Sequence, residues 1–175
     1  MPSVQIIDDI ILPSEMLRLN FQGKNPWAVC SLFPSLLKDV MKISGKDTFE
    51  TDIRWDITSD PRPFYGVWMG KRAEDKWTNT FIRIIAQGEQ SSREKTGWIR
   101  IQIKGTVETR YTYNNFIQKS WWWLYSYSFY YKQRRNYLDY AKDNVFKIRD
   151  RTLQTLGILP EQMEEERERG ERPPE

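Results

Sequence analysis

Histidine is absent from this chain of 175 residues, and cysteine occurs only once. Without histidine the chain cannot form a Ser-His-Asp or Cys-His catalytic site, a histidine general base or a histidine-containing zinc site. With Cys30 alone it cannot form an intramolecular disulfide or a thiolate cluster. Because Cys30 lies in the apolar stretch AVCSLF, we expect it to be a small buried side chain.

Several common functional signatures are also missing. The glycines form neither a phosphate-binding loop nor a dinucleotide fingerprint, and the acidic residues lack EF-hand spacing, so we expect no cofactor and no metal. No apolar run approaches the about 20 residues that a spanning helix needs. The first residues, MPSVQIIDDII, lack the basic start of a signal peptide. The sequence therefore predicts a cytoplasmic protein.

The charges are divided unevenly along the chain. Residues 161–175 carry seven acids and three arginines, which is typical of a solvated, disordered segment. Since the whole chain carries a formal charge of +3, the residues before this segment carry +7. We expect one domain over residues 1–159 and a charged tail over 160–175, with a moderate preference for an anionic partner.

The most unusual segment is 121–131, WWWLYSYSFYY, in which eight of eleven side chains are aromatic. Neither a helix nor a strand directs three adjacent tryptophans toward one interior, so part of this surface should contact something other than the core. Three interpretations stay open: packing at the flanks of a helix, contact with a membrane interface, or binding to RNA or a protein. For RNA or a protein, the candidate contacts are Trp121, Trp122, Lys132, Arg134 and Arg135.

Hydrophobic spacing over the first two thirds of the chain predicts short strands, two short helices and then a sheet. The first strands are expected at 4–12 and 16–21, and the helices, which Pro34 separates, at 26–33 and 34–44. Alternating apolar and polar side chains predict an antiparallel meander with one solvated face, with a bulge at Gly105 and strands at 49–57, 64–72, 77–88 and 98–113.

The end of the chain has helical spacing. Apolar side chains follow steps of three and four at Leu138, Ala141, Val145, Ile148 and Thr152, and Gly157 suits the position after a helix. Extended backward, the same stripe passes through Arg134, Tyr131, Tyr127 and Leu124, which predicts one helix over 119–156. The alternation of residues 123–131 leaves open a strand followed by a helix.

Three segments carry a resemblance to a known family. They are NPWAVCSLF with PSLLKDVMKI for the paired helices, the strands from Phe49 to Tyr113, and the final helix ending at Leu156. Their order resembles the helix-grip fold of the START/polyketide-cyclase-like superfamily, which includes plant Bet v 1-like proteins. The resemblance implies an α+β fold in which a curved antiparallel sheet grips a long C-terminal helix. It also implies a cavity between sheet and helix that commonly holds a hydrophobic ligand.

Ten side chains are expected to line that cavity: Trp55, Trp68, Ile82, Ile84, Ile101, Ile103, Tyr111, Tyr127, Tyr131 and Arg134. Arg134 could fix the polar head of a ligand, or its stem could cover the edge of the core while its head reaches solvent or a strand acid.

Two functional hypotheses follow. The first is non-enzymatic binding of a hydrophobic or amphipathic small molecule between sheet and helix. The alternative is an RNA- or ribonucleoprotein-binding protein that uses residues 119–135. Peripheral membrane contact is a further possible partner interaction. An enzyme is disfavoured, because the strand acids are expected to form a solvated surface rather than a catalytic pair.

Overall fold

The computed structural model, which describes residues 2–158, contains a six-stranded antiparallel sheet with helices packed on one face. The strands are β1 (Ser3–Asp9), β2 (Leu17–Lys24), β3 (Thr48–Trp55), β4 (Arg62–Ala73), β5 (Thr78–Gln90) and β6 (Thr96–Thr112). The α-helices are α1 (Phe33–Met41), α2 (Phe116–Tyr125) and α3 (Tyr131–Thr155), and short 3₁₀ helices cover Pro26–Leu32 and Gly45–Asp47. The predicted fold class, a curved sheet with a long C-terminal helix and shorter helices after the first strands, is confirmed. The predicted tail over 160–175 lies outside the described residues.

One edge of the sheet is built from two strands placed end to end. The neighbours β3, β4, β5 and β6 follow one another in sequence order, and both β1 and β2 pair with β6. β1 pairs with residues 106–112 and β2 with residues 96–103 of that strand. The two strands therefore act as one edge strand that residues 10–16 interrupt, and we call these residues the edge excursion.

The inner face of the sheet packs against the helices. Ile82 and Ile84 of β5 and Ile101 and Ile103 of β6 are fully buried, as the alternation of the sequence predicts. They share one core cluster with Phe33, Leu37 and Met41 of α1 and with Ala141, Val145 and Ile148 of α3. Burial of this apolar surface, at about 25 cal/mol per Å², holds the helices on the sheet.

The predicted bulge at Gly105 is wrong, since β5 and β6 pair without a break through this residue. A side chain at Gly105 would lie 2.5 Å from Cδ1 of Ile10, so the glycine instead admits Ile10 where the edge strand leaves the sheet. The bulge lies in β3, between Glu50 and Asp52. It breaks the alternation there, so that Phe49 and Trp55 point to opposite faces of the sheet.

The C-terminal helix is continuous from 116 to 155, which confirms the long helix and contradicts the strand alternative. It contains a π-helical turn, Ser126–Tyr130, between α2 and α3. Such a turn holds one residue more than an α-helical turn, so the buried face shifts by about one position. Trp122, Ser126 and Tyr130 are buried, whereas Leu124, Tyr127 and Tyr131 of the predicted stripe are 59%, 86% and 53% exposed.

The predicted end of the helix is confirmed. Gly157 has a left-handed φ of 73° and donates its backbone N–H to the Gln154 carbonyl at 3.1 Å. The Ile158 N–H bonds to the Leu153 carbonyl at 3.1 Å, and Ile158 packs against the core. Together these bonds satisfy carbonyls of the last turn and bring the chain back onto the core.

Candidate ligand groove and exposed aromatic segment

Five of the ten residues predicted to line a cavity lie in the packed core. Trp68, Ile82, Ile84, Ile101 and Ile103 are at most 2% exposed and belong to one core cluster. They contact the buried sides of α1 and α3 directly, at the close packing of a protein interior. A ligand held between sheet and helix would therefore lie at an edge of this core.

Two further predicted residues lie near the ends of strands β3 and β6. Trp55 is 37% exposed at the end of β3, where its ring centroid lies 4.2 Å from that of Trp27. Tyr111 stacks flat on Trp122, with centroids 4.3 Å apart and an interplanar angle of 4°. The structure does not bring these two residues together.

Arg134 bridges the helix and the edge strand. Its Nε donates to Oδ2 of Asp8 at 3.2 Å, and its Nη2 contacts the same oxygen. The Arg134 side chain is 13% exposed, and that of Asp8 is 33% exposed. Asp8 lies in β1 opposite Val107, so the ion pair fastens the start of α3 to the edge of the sheet.

A groove opens beside this ion pair, between the edge excursion and α3. It consists of two depressions of about 320 and 440 Å³ that share Ile10, Leu12 and Lys142. The first includes Asp8, Tyr131, Arg134, Arg135, Leu138 and Asp139. The second is more apolar and includes Ile11, Met16, Leu17, Val145, Phe146 and Arg149. We call the two together the edge groove, and it brings the predicted residues Tyr131 and Arg134 into one site.

The edge groove exists because β1 and β2 do not form a single unbroken strand. The Ile10 N–H still bonds to the Gly105 carbonyl at 3.0 Å, and the chain then leaves the sheet until Leu17. Ile10 is buried, whereas Leu12 is 68% exposed. The excursion therefore forms one wall of the groove, and the side of α3 next to its buried stripe forms the other.

Two cations of the edge groove have no acidic partner among residues 2–158. Arg134 is paired with Asp8, and Arg149 is paired with Asp150 at 2.7 Å. By contrast, Arg135 and Lys142 are in no described ion pair; Arg135 donates to the Tyr131 hydroxyl at 2.9 Å. An anionic group in the first depression would meet these two charges, beside the carboxylates of Asp9 and Asp139 that also line it, and the second depression would offer a more apolar surface.

The second unusual feature is the exposure of residues 116–131, which we call the aromatic segment. Nine large side chains in it are at least 42% exposed: Phe116, Ile117, Trp121, Trp123, Leu124, Tyr125, Tyr127, Phe129 and Tyr131. Trp122 is 4% exposed and packs against Trp77 and Tyr111, with ring centroids 5.0 and 4.3 Å away. This segment is held to the sheet along one narrow side and presents aromatic rings elsewhere.

The five residues proposed for contact with RNA or a protein are therefore divided. Trp121 is 67% exposed, and Lys132 and Arg135 are also exposed. Trp122 is buried against the sheet, and Arg134 is engaged with Asp8.

A buried polar network lies beneath the aromatic segment. Oδ2 of Asp75 accepts from the Tyr130 hydroxyl at 2.5 Å and from the Tyr137 hydroxyl at 3.2 Å. Oδ1 accepts from the backbone N–H groups of Trp77 and Thr78, both at 2.8 Å. Burial, followed by the hydrogen bond to Asp75, raises the pKa of Tyr130 above its ordinary value. The network fixes the π-helical turn to the loop before β5.

Sequence reasoning missed several residues of these sites. Lys142, Phe146 and Arg149 line the edge groove. They are four and three positions apart, so they lie on one side of α3 next to its buried stripe, and this spacing could have identified them. Asp75 gave no such signal, because its partners Tyr130 and Tyr137 are more than fifty positions away in the sequence.

Comparisons with known proteins give distant structural matches. No family model matches the chain, and no curated protein matches it. A protein of unknown function from Staphylococcus aureus is 11% identical, with 84% of this chain and 97% of that chain covered and a TM-score of 0.28. An uncharacterised protein from Rhizobium leguminosarum is 5% identical, with 86% and 99% covered and a TM-score of 0.19. For Ara h 8.0201 the identity is 7%, the coverage 75% and 97%, and the TM-score 0.18. TM-scores this low establish neither a shared fold nor a shared function.

Proposed function

We propose that this chain is a helix-grip protein of the START/polyketide-cyclase-like type that binds an amphipathic, negatively charged small molecule in the edge groove. The observation that carries the proposal is the groove itself, which lies between sheet and C-terminal helix and combines an apolar floor with unpaired cations. Its two depressions, of about 320 and 440 Å³, fall in the usual size range of small-molecule sites.

The two ends of the groove would recognise different parts of the ligand. Arg135 and Lys142 would bind a carboxylate or phosphate head, and Ile11, Met16 and Phe146 would cover an alkyl tail. Each buried methylene would contribute about 0.8 kcal/mol. Arg134 would act through Asp8, by holding the helix beside the edge excursion.

Native mass spectrometry of the purified protein and calorimetric titration test this proposal. The probes are dodecanoate and dodecyl phosphate, with dodecanol and dodecyltrimethylammonium as neutral and cationic comparisons, all below their micelle concentrations. We expect the two anions to bind and the cation not to bind. If none of the four probes binds and no molecule is retained after purification, the proposal is wrong.

A matched pair of variants locates the binding site. Lys142 lines the groove, whereas Lys147 is an exposed lysine of the same helix that does not line it. Lys142→Met should weaken binding of dodecyl phosphate by about tenfold, the effect of losing about 1.4 kcal/mol of charge-assisted interaction. Lys147→Met removes the same charge and should leave affinity unchanged. Equal losses in both variants would show a general effect of charge and would contradict the groove.

A further inference from the structure

The aromatic segment exposes far more apolar surface than a scattering of single side chains. Nine large apolar or aromatic side chains between positions 116 and 131 are exposed along one helical stretch, with Tyr127 at 86% and Phe116 at 78%. Isolated exposed apolar residues are normal in proteins, but many of them close together mark a surface that contacts a protein partner, a ligand or a membrane.

The exposed rings point in opposite directions around the helix. Residues two positions apart on an α-helix are separated by about 200°. Trp121 and Trp123 are 67% and 56% exposed on these opposite sides, while Trp122 between them is held by the sheet. The fluid interface of a bilayer can accommodate rings on both flanks of an attached helix at once, whereas a flat partner surface would contact one flank.

The charge of the region matches an anionic lipid surface. No aspartate or glutamate occurs between Glu108 and Asp139, and this interval contains five cations: Arg134, which is paired with Asp8, and Arg110, Lys119, Lys132 and Arg135, which are in no described ion pair. Tryptophan and tyrosine favour the headgroup depth of a bilayer, and lysines at the ends of such a segment reach anionic headgroups. Lys119 and Lys132 stand at such ends of the tryptophan and tyrosine run.

The geometry also limits how the segment would enter a bilayer. Within residues 2–158, no helix has the length and apolar character to pass from one side of a membrane to the other. Trp122 and Tyr130 keep the segment fixed on the sheet, so its rings need no folding step before they insert. A segment anchored in this way would lie in the interface, with its rings at headgroup depth.

We propose that the aromatic segment docks this protein on the interface of a bilayer that contains anionic lipids. This contact goes beyond ligand binding in the edge groove and does not depend on it. Tyr131 lines the groove and is also the last exposed ring of the segment, so docking would bring the groove next to the headgroups.

Vesicle flotation tests the docking, with vesicles of phosphatidylcholine alone and of phosphatidylcholine with 30% phosphatidylglycerol. The protein should float with the anionic vesicles at low salt and much less with the neutral ones. The test variant is Trp121→Ser with Phe129→Ser, and the control is Trp98→Ser, which removes a 37% exposed tryptophan from the outer face of β6. Partitioning of the test variant should fall at least tenfold, and that of the control should not change.

Several outcomes would overturn the proposal. These are absence of flotation with both vesicles, equal loss in the test and control variants, preferential binding to a single-stranded oligouridine, or a dimer that the Trp121→Ser, Phe129→Ser change dissociates. Circular dichroism checks that the test variant is folded, and single Trp121→Ser replaces it if the double variant is not. Lys142→Met should float normally, which separates this test from that of the groove.

Discussion

Tyr130→Phe tests whether the buried polar network fixes the C-terminal helix. The hydroxyl of Tyr130 bonds to Oδ2 of Asp75 and to Oγ1 of Thr78, both at 2.5 Å, and the side chain is 3% exposed. After the substitution, Oδ2 keeps only the bond from Tyr137 at 3.2 Å. Hydrogen bonds to a charged group contribute about 1.5–3 kcal/mol, so we expect the free energy of unfolding to fall by about 2–3 kcal/mol.

Urea denaturation followed by far-ultraviolet circular dichroism measures this change. The control is Tyr127→Phe, which removes the same hydroxyl from a residue of the same π-helical turn that is 86% exposed. The control should stay within about 0.5 kcal/mol of the unmodified protein. A Tyr130→Phe effect as small as that of Tyr127→Phe would refute the assignment of the network as a stabilising anchor.

Three further predictions concern titration and packing. The raised pKa of Tyr130, caused by burial and then by its bond to Asp75, means that its stability contribution is complete below its ordinary pKa of 10 and is lost as the pH rises above it. Between pH 9.5 and 11, the free energy of unfolding should therefore fall less for Tyr130→Phe than for the protein that retains Tyr130. Both proteins carry Cys30→Ala, because the Cys30 thiol also titrates in this range. Burial raises the pKa of Cys30 to about 12, so a disulfide reagent such as dithionitrobenzoate should react with it only at the rate of unfolding; rapid reaction of the folded protein would contradict its burial. Gly88→Ala should lower the midpoint of thermal unfolding by several degrees, because its Cβ would lie 2.1 Å from the Trp98 carbonyl oxygen, whereas Gly45→Ala, with open space around its Cβ, should not; equal midpoints would show that the sheet relaxes around Gly88.

Local patterns predicted where the helices and strands lie better than they predicted which side chains of each element face the core. The alternation of β5 and β6 depends on near neighbours in sequence, and it placed Ile82, Ile84, Ile101 and Ile103 correctly on the inner face. Two single-residue irregularities then changed which side chains face the core. The bulge between Glu50 and Asp52 changes the phase of β3, and the π-helical turn turns Tyr127 and Tyr131 toward solvent.

The candidate site was harder to predict from the sequence, because its residues are far apart in the chain and come together only in the folded protein. Arg134 was identified as an unusual cation on an apolar stripe, but its partner Asp8 is 126 positions away. The groove beside it depends on the edge excursion, whose first residues the hydrophobic spacing assigns to a strand over 4–12, whereas β1 ends at Asp9. The exposure of Trp121 follows from the attachment of Trp122 to Tyr111, which is a tertiary contact.

Because the edge strand is divided, the chain between β1 and β2 can change without disturbing how these strands pair with β6. β1 and β2 are each aligned by their own ladder on β6, of seven and eight residue pairs, so neither alignment depends on what lies between them. A segment between two independently aligned strands can be lengthened at a small entropic cost. The edge excursion is therefore the place where the outline of the edge groove can change without rebuilding the sheet.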